Sequence, residues 1–352
     1  MNKEDSIEYQ KLKKKLSPSK ILIPILLGLG MVTWLMYNEI EPDTFSFLEW
    51  SLSAFLWLVV SLMMMAIRDW AYMWRIRILT NKKISWRNTF DVIMLWEFSS
   101  AISPSVVGGT GPAIYFLYKE GINSGKSTAV VLTAIFLDEL FFIIMVPLMI
   151  LLFGQMAFPQ EKISFLGNLV LYFWLGYGII FLYTFVLLYA LFINPHTVKS
   201  ILSWIFLLPF LKRWRLRARK LSNQLIITSE EFKGMGIRFW MKSFLATFLS
   251  WTARYWVINF LFLAFFFEHI GWMDHFLIYA RQLTMWMILL ISPTPGGSGV
   301  AEFVFKDFLG DILPNIEWAV PLAFIWRLIS YYPYLLIGAI VLPKWLKKVF
   351  FR

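Results

Sequence analysis

Seven ionisable residues lie inside apolar stretches of this sequence: Glu97, Asp138, Glu139, Arg254, Arg281, Glu302 and Arg327. A charge in hydrocarbon is costly, so such a residue is by default a candidate for function. The three arginines carry planar donor forks that suit a phosphate. The four carboxylates can hold a cationic headgroup, relay protons or neutralise the arginines. The competing reading is an internal set of ion pairs that fixes helix packing, and residue types alone leave both open. Arg68 and Asp69, beside Trp70 and Trp74 near the end of an apolar run, read as interfacial anchors instead.

Two glycine-rich breaks carry a second signal. The first is Ile102-Ser103-Pro104-Ser105-Val106-Val107-Gly108-Gly109-Thr110-Gly111. The second is Ile291-Ser292-Pro293-Thr294-Pro295-Gly296-Gly297-Ser298-Gly299. Allowing one gap, both follow the same I-S-P…G-G-[ST]-G pattern. Glycine lets a ligand approach the backbone, and free amides at a helix start attract an anion such as phosphate. Gly108, Gly109, Gly111, Gly296, Gly297 and Gly299 therefore join the seven charged residues as candidate substrate-binding positions. The alternative is that Gly and Pro serve only to make tight hairpins.

The elements that position these residues are membrane helices. Of 352 residues, 59% are hydrophobic and only 16% are charged, with a mean hydropathy of +0.65. Soluble domains carry about 25% charged residues. Six apolar runs, near 21–38, 52–73, 128–153, 166–193, 239–267 and 318–342, are long enough for a ~30 Å hydrocarbon core. Basic residues crowd the N-terminal tail, the 75–87 loop, the 194–238 segment and the C-terminal tail, which the positive-inside rule places in the cytoplasm. The acidic 39–50, 268–274 and 311–317 loops then lie outside. This assignment closes only if each glycine break turns back on its own side of the membrane.

The expected fold is therefore an all-α polytopic membrane protein, with about six full transmembrane helices and two re-entrant helical hairpins. Three full spans separate the hairpins, so they enter from opposite faces, as in an inverted-topology repeat. The expected organisation is a cytoplasmic basic tail (1–20), a single transmembrane domain (21–343) and a cytoplasmic tail (344–352). The domain's first half is 21–194 with a re-entrant loop at 102–113. A cytoplasmic basic segment covers 195–236, and the second half is 237–343 with a loop at 291–302. Eight full spans is the competing count.

Several chemistries are excluded or disfavoured. There is no cysteine, so disulfides and thiolate chemistry are out. The histidines, His196, His269 and His275, are too scattered for a metal cluster, and no metal or cofactor is expected. The nucleotide-binding, zinc-protease and nucleophile-elbow motifs are missing. A net charge of +11 fits a cytoplasmic membrane face better than nucleic acid, because the cations flank apolar runs. Lys212–Lys220, interleaved with Trp214 and Leu216, suits an anionic inner leaflet.

These residues resemble the lysylphosphatidylglycerol synthase transmembrane-region family, the flippase-like membrane domain of multiple-peptide-resistance proteins. The resemblance runs from about Ile21 to Leu342. Its most specific part is Ser292-Pro293-Thr294-Pro295-Gly296-Gly297-Ser298-Gly299-Val300-Ala301-Glu302, with the Trp326-Arg327-Leu328 span ending near Gly338. Arg68…Trp74-Arg75 and Gly108-Gly109 also match. The chain departs from the family's usual residues at Thr110, Ala113, Asp138-Glu139 and Ala301.

The resemblance implies lipid translocation, with aminoacylated phosphatidylglycerol as substrate in well-known members that also carry a soluble synthase domain. This sequence ends at Arg352 without one, so it is expected to move lipid and not to synthesise it. The leading expectation is a phospholipid flippase or transporter, not an enzyme, in the plasma (inner) membrane with both termini cytoplasmic. Its partners would be membrane phospholipid, the bilayer and a separate lipid synthase, with no nucleic acid. The alternative is a membrane-embedded transferase acting on a lipid-linked substrate, with Asp138 and Glu139 holding a metal. A third reading is a scaffold for a partner synthase.

Overall fold

A computed structural model describes residues 50–103, 109–159, 169–194, 196–197, 215–289 and 300–350. Among them the α-helices, numbered in chain order, are α1 (Leu52–Leu79), α2 (Trp86–Ile102), α3 (Thr110–Lys119), α4 (Ser124–Phe153), α5 (Leu169–Leu188), α6 (Arg215–Lys233), α7 (Ile237–Phe266), α8 (Trp272–Leu289), α9 (Val300–Leu309), α10 (Ala319–Ser330) and α11 (Tyr332–Phe350). Polar caps start three of them. The Ser51 hydroxyl accepts from Ala54 N at 3.0 Å, Ser85 from Asn88 N at 3.2 Å, and Asn123 from Lys126 N at 2.8 Å. Each satisfies an amide that has no partner within its helix.

Five stretches are long and apolar enough to cross a membrane: Leu52–Leu79, Ser124–Ala157, Val170–Ile193, Ile237–His269 and Ile316–Phe350. They coincide with five of the six expected spans, and the run at 21–38 lies outside the described residues. The surface supports this placement. Leu151, Trp272 and Leu52 are 83%, 82% and 76% exposed, whereas Arg68 and Glu302 are each 1% exposed. Apolar groups outside and charges inside is the arrangement that lipid, not water, stabilises.

Two boundaries differ from the sequence reading. Helix α1 runs past Met73 to Leu79, so Arg75 and Arg77 are helical and not part of a loop. The turn that follows places Asn81 and Lys82 at φ of 52° and 58°. At the other end α11 continues to Phe350, so Lys344, Lys347 and Lys348 sit on a helix and not in a free tail. Lys348 Nζ meets Glu120, Asn88 and Asp91 at 2.8, 3.0 and 3.1 Å, and Trp345 Nε1 donates to Glu120 at 2.8 Å.

Both broken segments have one long and one short arm. Helices α2 and α3 have 17 and 10 residues, and α8 and α9 have 18 and 10. The tips, 104–108 and 290–299, lie outside the described residues. Gly108, Gly296, Gly297 and Gly299 lie there too. In the basic segment, α6 is fastened to the start of α4. Lys126 Nζ meets Glu231 at 2.6 Å, and the Gln224 carbonyl accepts from Ser124 and the Gly125 amide at 2.8 and 3.1 Å.

Packing follows an exchange rule between the two halves. Helices α1 and α7 lie along each other in the most extensive contact among the described helices. The long arm α2 packs on α11, and its counterpart α8 packs on α4. Within each half the long arm touches its short arm, α2 on α3 and α8 on α9. Each short arm touches the helix that follows, α3 on α4 and α9 on α10. The α2–α11 contact requires glycine at 338, because a Cβ there would run into the Phe98 side chain.

Candidate functional site

Helix α1 sets three side chains on one stripe. Arg68, Tyr72 and Arg75 are four and three residues apart and so face the same way. Both guanidiniums lie over the Tyr72 ring, at 4.7 Å for Arg68 and 4.8 Å for Arg75. Such cation–π contacts add attraction where water is excluded.

The first arginine gathers two carboxylates. Arg68 Nη1 lies 2.9 Å from Asp69 Oδ1, and Nη2 lies 2.7 Å from Glu97 Oε2 on α2. The Tyr334 hydroxyl, on α11, donates to both Asp69 oxygens at 2.8 and 2.9 Å, and its ring sits 5.0 Å from the Arg68 guanidinium. Arg68, which is buried, and Asp69, which is partly so, are thus members of a network that joins three helices, and the anchoring role expected for them is corrected. Trp70 keeps the interfacial role, 48% exposed and stacked on Trp74 at 5.5 Å.

The second arginine meets Asp138 on α4 as a two-pronged fork, at 2.5 and 3.1 Å. Thr247 Oγ1 of α7 accepts from Arg75 Nη1 at 3.0 Å, and Trp251 Nε1 donates to Asp138 at 2.7 Å. Asp138 therefore has a charge partner and a neutral donor from two other helices. A buried charge is tolerated when it is paired and its remaining lone pairs are filled, and both conditions hold here. Both Asp138 oxygens face the Arg75 fork, which works against Asp138 as a metal ligand. The described residues contain no group of three or more His, Asp or Glu placed to hold a metal.

In the second half, Glu302 of α9 and Arg327 of α10 are both buried and meet at 3.2 Å. Arg327 also lies 3.8 Å over the Tyr331 ring, and the Tyr331 hydroxyl donates to the Ala101 carbonyl at 3.0 Å. Ala101 is near the end of α2, at the lip of the first glycine loop. One chain of contacts therefore runs from α9 through α10 and Tyr331 to the end of α2.

Arg281 behaves differently. Its Nε donates to the Met156 carbonyl at 2.9 Å, and its Nη1 to the Phe308 carbonyl at 3.0 Å and to Asp311. It staples the end of α9 to the segment after α4, which is a packing role. Gly109 is packed against α2, where a Cβ would strike Ser100, while a Cβ at Gly111 would meet open space. Glu139 and Arg254 are half-buried near the middles of α4 and α7. Arg254 lies 5.6 Å from the Trp251 ring and 5.4 Å from Trp286.

The family model described as the lysylphosphatidylglycerol synthase TM region matches residues 21–338. The chain belongs to that family. A UPF0104 membrane protein of Archaeoglobus fulgidus is 25% identical over 333 residues, covering 91% of this chain and 95% of the relative. The family assignment bears out the resemblance seen in the glycine loop and the Arg327 span. It makes this a lipid-related, multi-pass membrane protein.

Within this family member the structure joins Glu97 to Arg68, Asp138 to Arg75, and Glu302 to Arg327. It does not join Arg281 to any of them. Sequence reasoning missed Arg75, Thr247, Trp251 and Tyr334 as partners. A usable signal was present for Arg75. It lies seven residues after Arg68, on the same helical face with Tyr72 between them.

Proposed function

We propose that the protein moves a phospholipid between the two leaflets without altering it chemically. The observation that carries this reading is the charged stripe Glu97–Arg68–Asp69–Tyr72–Arg75–Asp138, which follows α1 and ties it to α2 and α4. A packing core alone gains little from such a stripe, since well-packed apolar residues stabilise as well or better. A polar headgroup crossing hydrocarbon needs such a lining.

The two hairpins act as related halves of an inverted repeat, each dipping in and returning on its own face. The exchange rule in packing and the repeated I-S-P…G-G-[ST]-G pattern both support this. Access alternates as one half moves against the other about the α1–α7 contact. The headgroup follows the stripe while the acyl chains stay in the bilayer. An open groove of about 460 Å³ on α7, lined by Met241, Phe244, Leu245 and Phe248 with Arg238 and Lys242, suits an acyl chain with its phosphate at the two cations. In this reading the protein resides in the plasma membrane with both termini cytoplasmic.

The test is to remove charge as a complete set. The variant Arg68→Met with Asp69→Asn and Glu97→Gln, purified and reconstituted in liposomes, is expected to fold and to lose inter-leaflet exchange of headgroup-labelled phospholipid. Exchange at the wild-type rate in this folded variant would refute the role given to the stripe. If wild-type protein left the lipid in place but changed it chemically, a transferase acting on a lipid-linked substrate would replace the transporter.

A further inference from the structure

Five of the seven intramembrane ionisable residues have an opposite charge within the protein: Glu97, Asp138, Arg281, Glu302 and Arg327. Glu139 and Arg254 do not. Among the described residues neither forms an ion pair or a hydrogen bond, with each other or with any other group. Both are half-buried, on helices α4 and α7 that pack together. An isolated charge midway along a membrane helix is unfavourable unless a proton neutralises it or a ligand compensates it.

The surroundings of the two charges are built. Phe142 lies one turn from Glu139 on α4, and Trp251 lies one turn from Arg254 on α7. Their rings meet edge to face at 4.7 Å. Trp286 of α8 stacks on Phe142 at 6.1 Å, with the planes 12° apart, and Arg254 rests over both tryptophans. A third polar group completes the set. Tyr255 is 5% exposed, and its hydroxyl is buried with no hydrogen-bond partner. The Tyr255 ring stacks on Trp251 at 5.8 Å, and Trp251 in turn meets Phe142, one turn from Glu139, so the three groups border one aromatic cluster. A guanidinium, a carboxyl group and a hydroxyl donor, all without polar protein partners beside an aromatic floor, describe a site for a ligand that carries both charges.

We infer that Glu139, Arg254 and Tyr255 bind the headgroup of a zwitterionic, ammonium-bearing phospholipid. Arg254 receives the phosphate, Glu139 the ammonium, and the Tyr255 hydroxyl donates to a phosphodiester oxygen. A headgroup that is anionic throughout would meet the Glu139 carboxylate, and one without phosphate would leave Arg254 uncompensated. The aromatic floor adds cation–π attraction for the ammonium. This inference rests on the lipid-transport reading and names the substrate class for it.

The test is equilibrium binding of phosphatidylethanolamine and phosphatidylglycerol, with matched acyl chains, to the purified full chain. Wild type is expected to prefer the ethanolamine lipid by on the order of tenfold, the size of one buried charge interaction. Glu139→Gln is expected to abolish that preference while phosphatidylglycerol binding holds or improves. Arg254→Gln is expected to weaken both lipids. Should Arg254→Gln fail to fold, the Glu139→Gln ratio still decides, because that variant removes a charge that has no protein partner. An unchanged ratio in Glu139→Gln overturns the site. Displacement of the lipid by water-soluble phosphoethanolamine at equal concentration overturns the lipid assignment in favour of a soluble zwitterion. Leaflet exchange with no headgroup preference would sink this inference and leave transport standing. Selective binding without exchange would do the reverse.

Discussion

Asp138 and Glu139 are neighbours on one helix, and the protein treats them in opposite ways. Asp138 points into a closed set, with the Arg75 fork, Thr247 behind it and Trp251 donating from the side. Glu139, rotated about 100° round the helix, lies near aromatic rings and has no cation within ion-pair distance among the described residues. The difference separates two uses of buried charge. A forked pair, bridged to a third helix though Arg75 Nε has no partner, holds three helices in register and contributes through what is lost if half of it is removed. A carboxylate with no protein partner contributes nothing to packing and is available to a ligand.

That contrast can be tested by substitution, with unfolding of the purified protein as readout. Asp138→Ala should have the largest effect. It leaves Arg75 buried without compensation, at a loss of about 3–5 kcal/mol. Restoring most of that stability with Arg75→Met in the same chain would confirm that the pair, not the individual residue, is the unit. Glu302→Ala should cost less, about 2 kcal/mol, since its 3.2 Å contact is longer than the Arg75 fork and Arg327 keeps its stacking on Tyr331. Trp251→Phe removes one donor to Asp138 and keeps the ring, for a loss of about 1 kcal/mol. Glu139→Gln should change stability by no more than about 0.5 kcal/mol. A loss in Glu139→Gln comparable to that in Asp138→Ala would erase the distinction.

Much of the fold was legible in the sequence because bilayer-spanning helices are set by local composition. The runs at 128–153 and 239–267 reappear within Ser124–Ala157 and Ile237–His269. Helix ends were harder to read. The positive charges of Arg75 and Arg77 marked a cytoplasmic loop by composition, yet the helix carries both through to Leu79. An arginine near the end of an apolar run looks the same whether its head rises to the interface or turns inward to a carboxylate. Only the partner decides, and Asp138 stands 63 positions away in the sequence.

The same distance effect hid Tyr334 from Asp69, 265 positions apart. The depth of Glu97, Asp138, Glu302 and Arg327 was readable, and so was the need to compensate them. Which arginine met which carboxylate was a matter of tertiary packing. Arg281 shows the limit from the other side. Its type suited a phosphate, but backbone carbonyls of the chain itself take its donors.

The central claim is tested most directly by reconstituting the wild-type chain in liposomes that hold headgroup-labelled phospholipid in both leaflets. A membrane-impermeant quencher is then added outside. Protein-free vesicles keep their inner-leaflet signal. The account predicts that vesicles with the protein lose it progressively as lipid crosses to the outer face. An inner-leaflet signal that persists as in empty vesicles, for ethanolamine and glycerol headgroups alike, would contradict it.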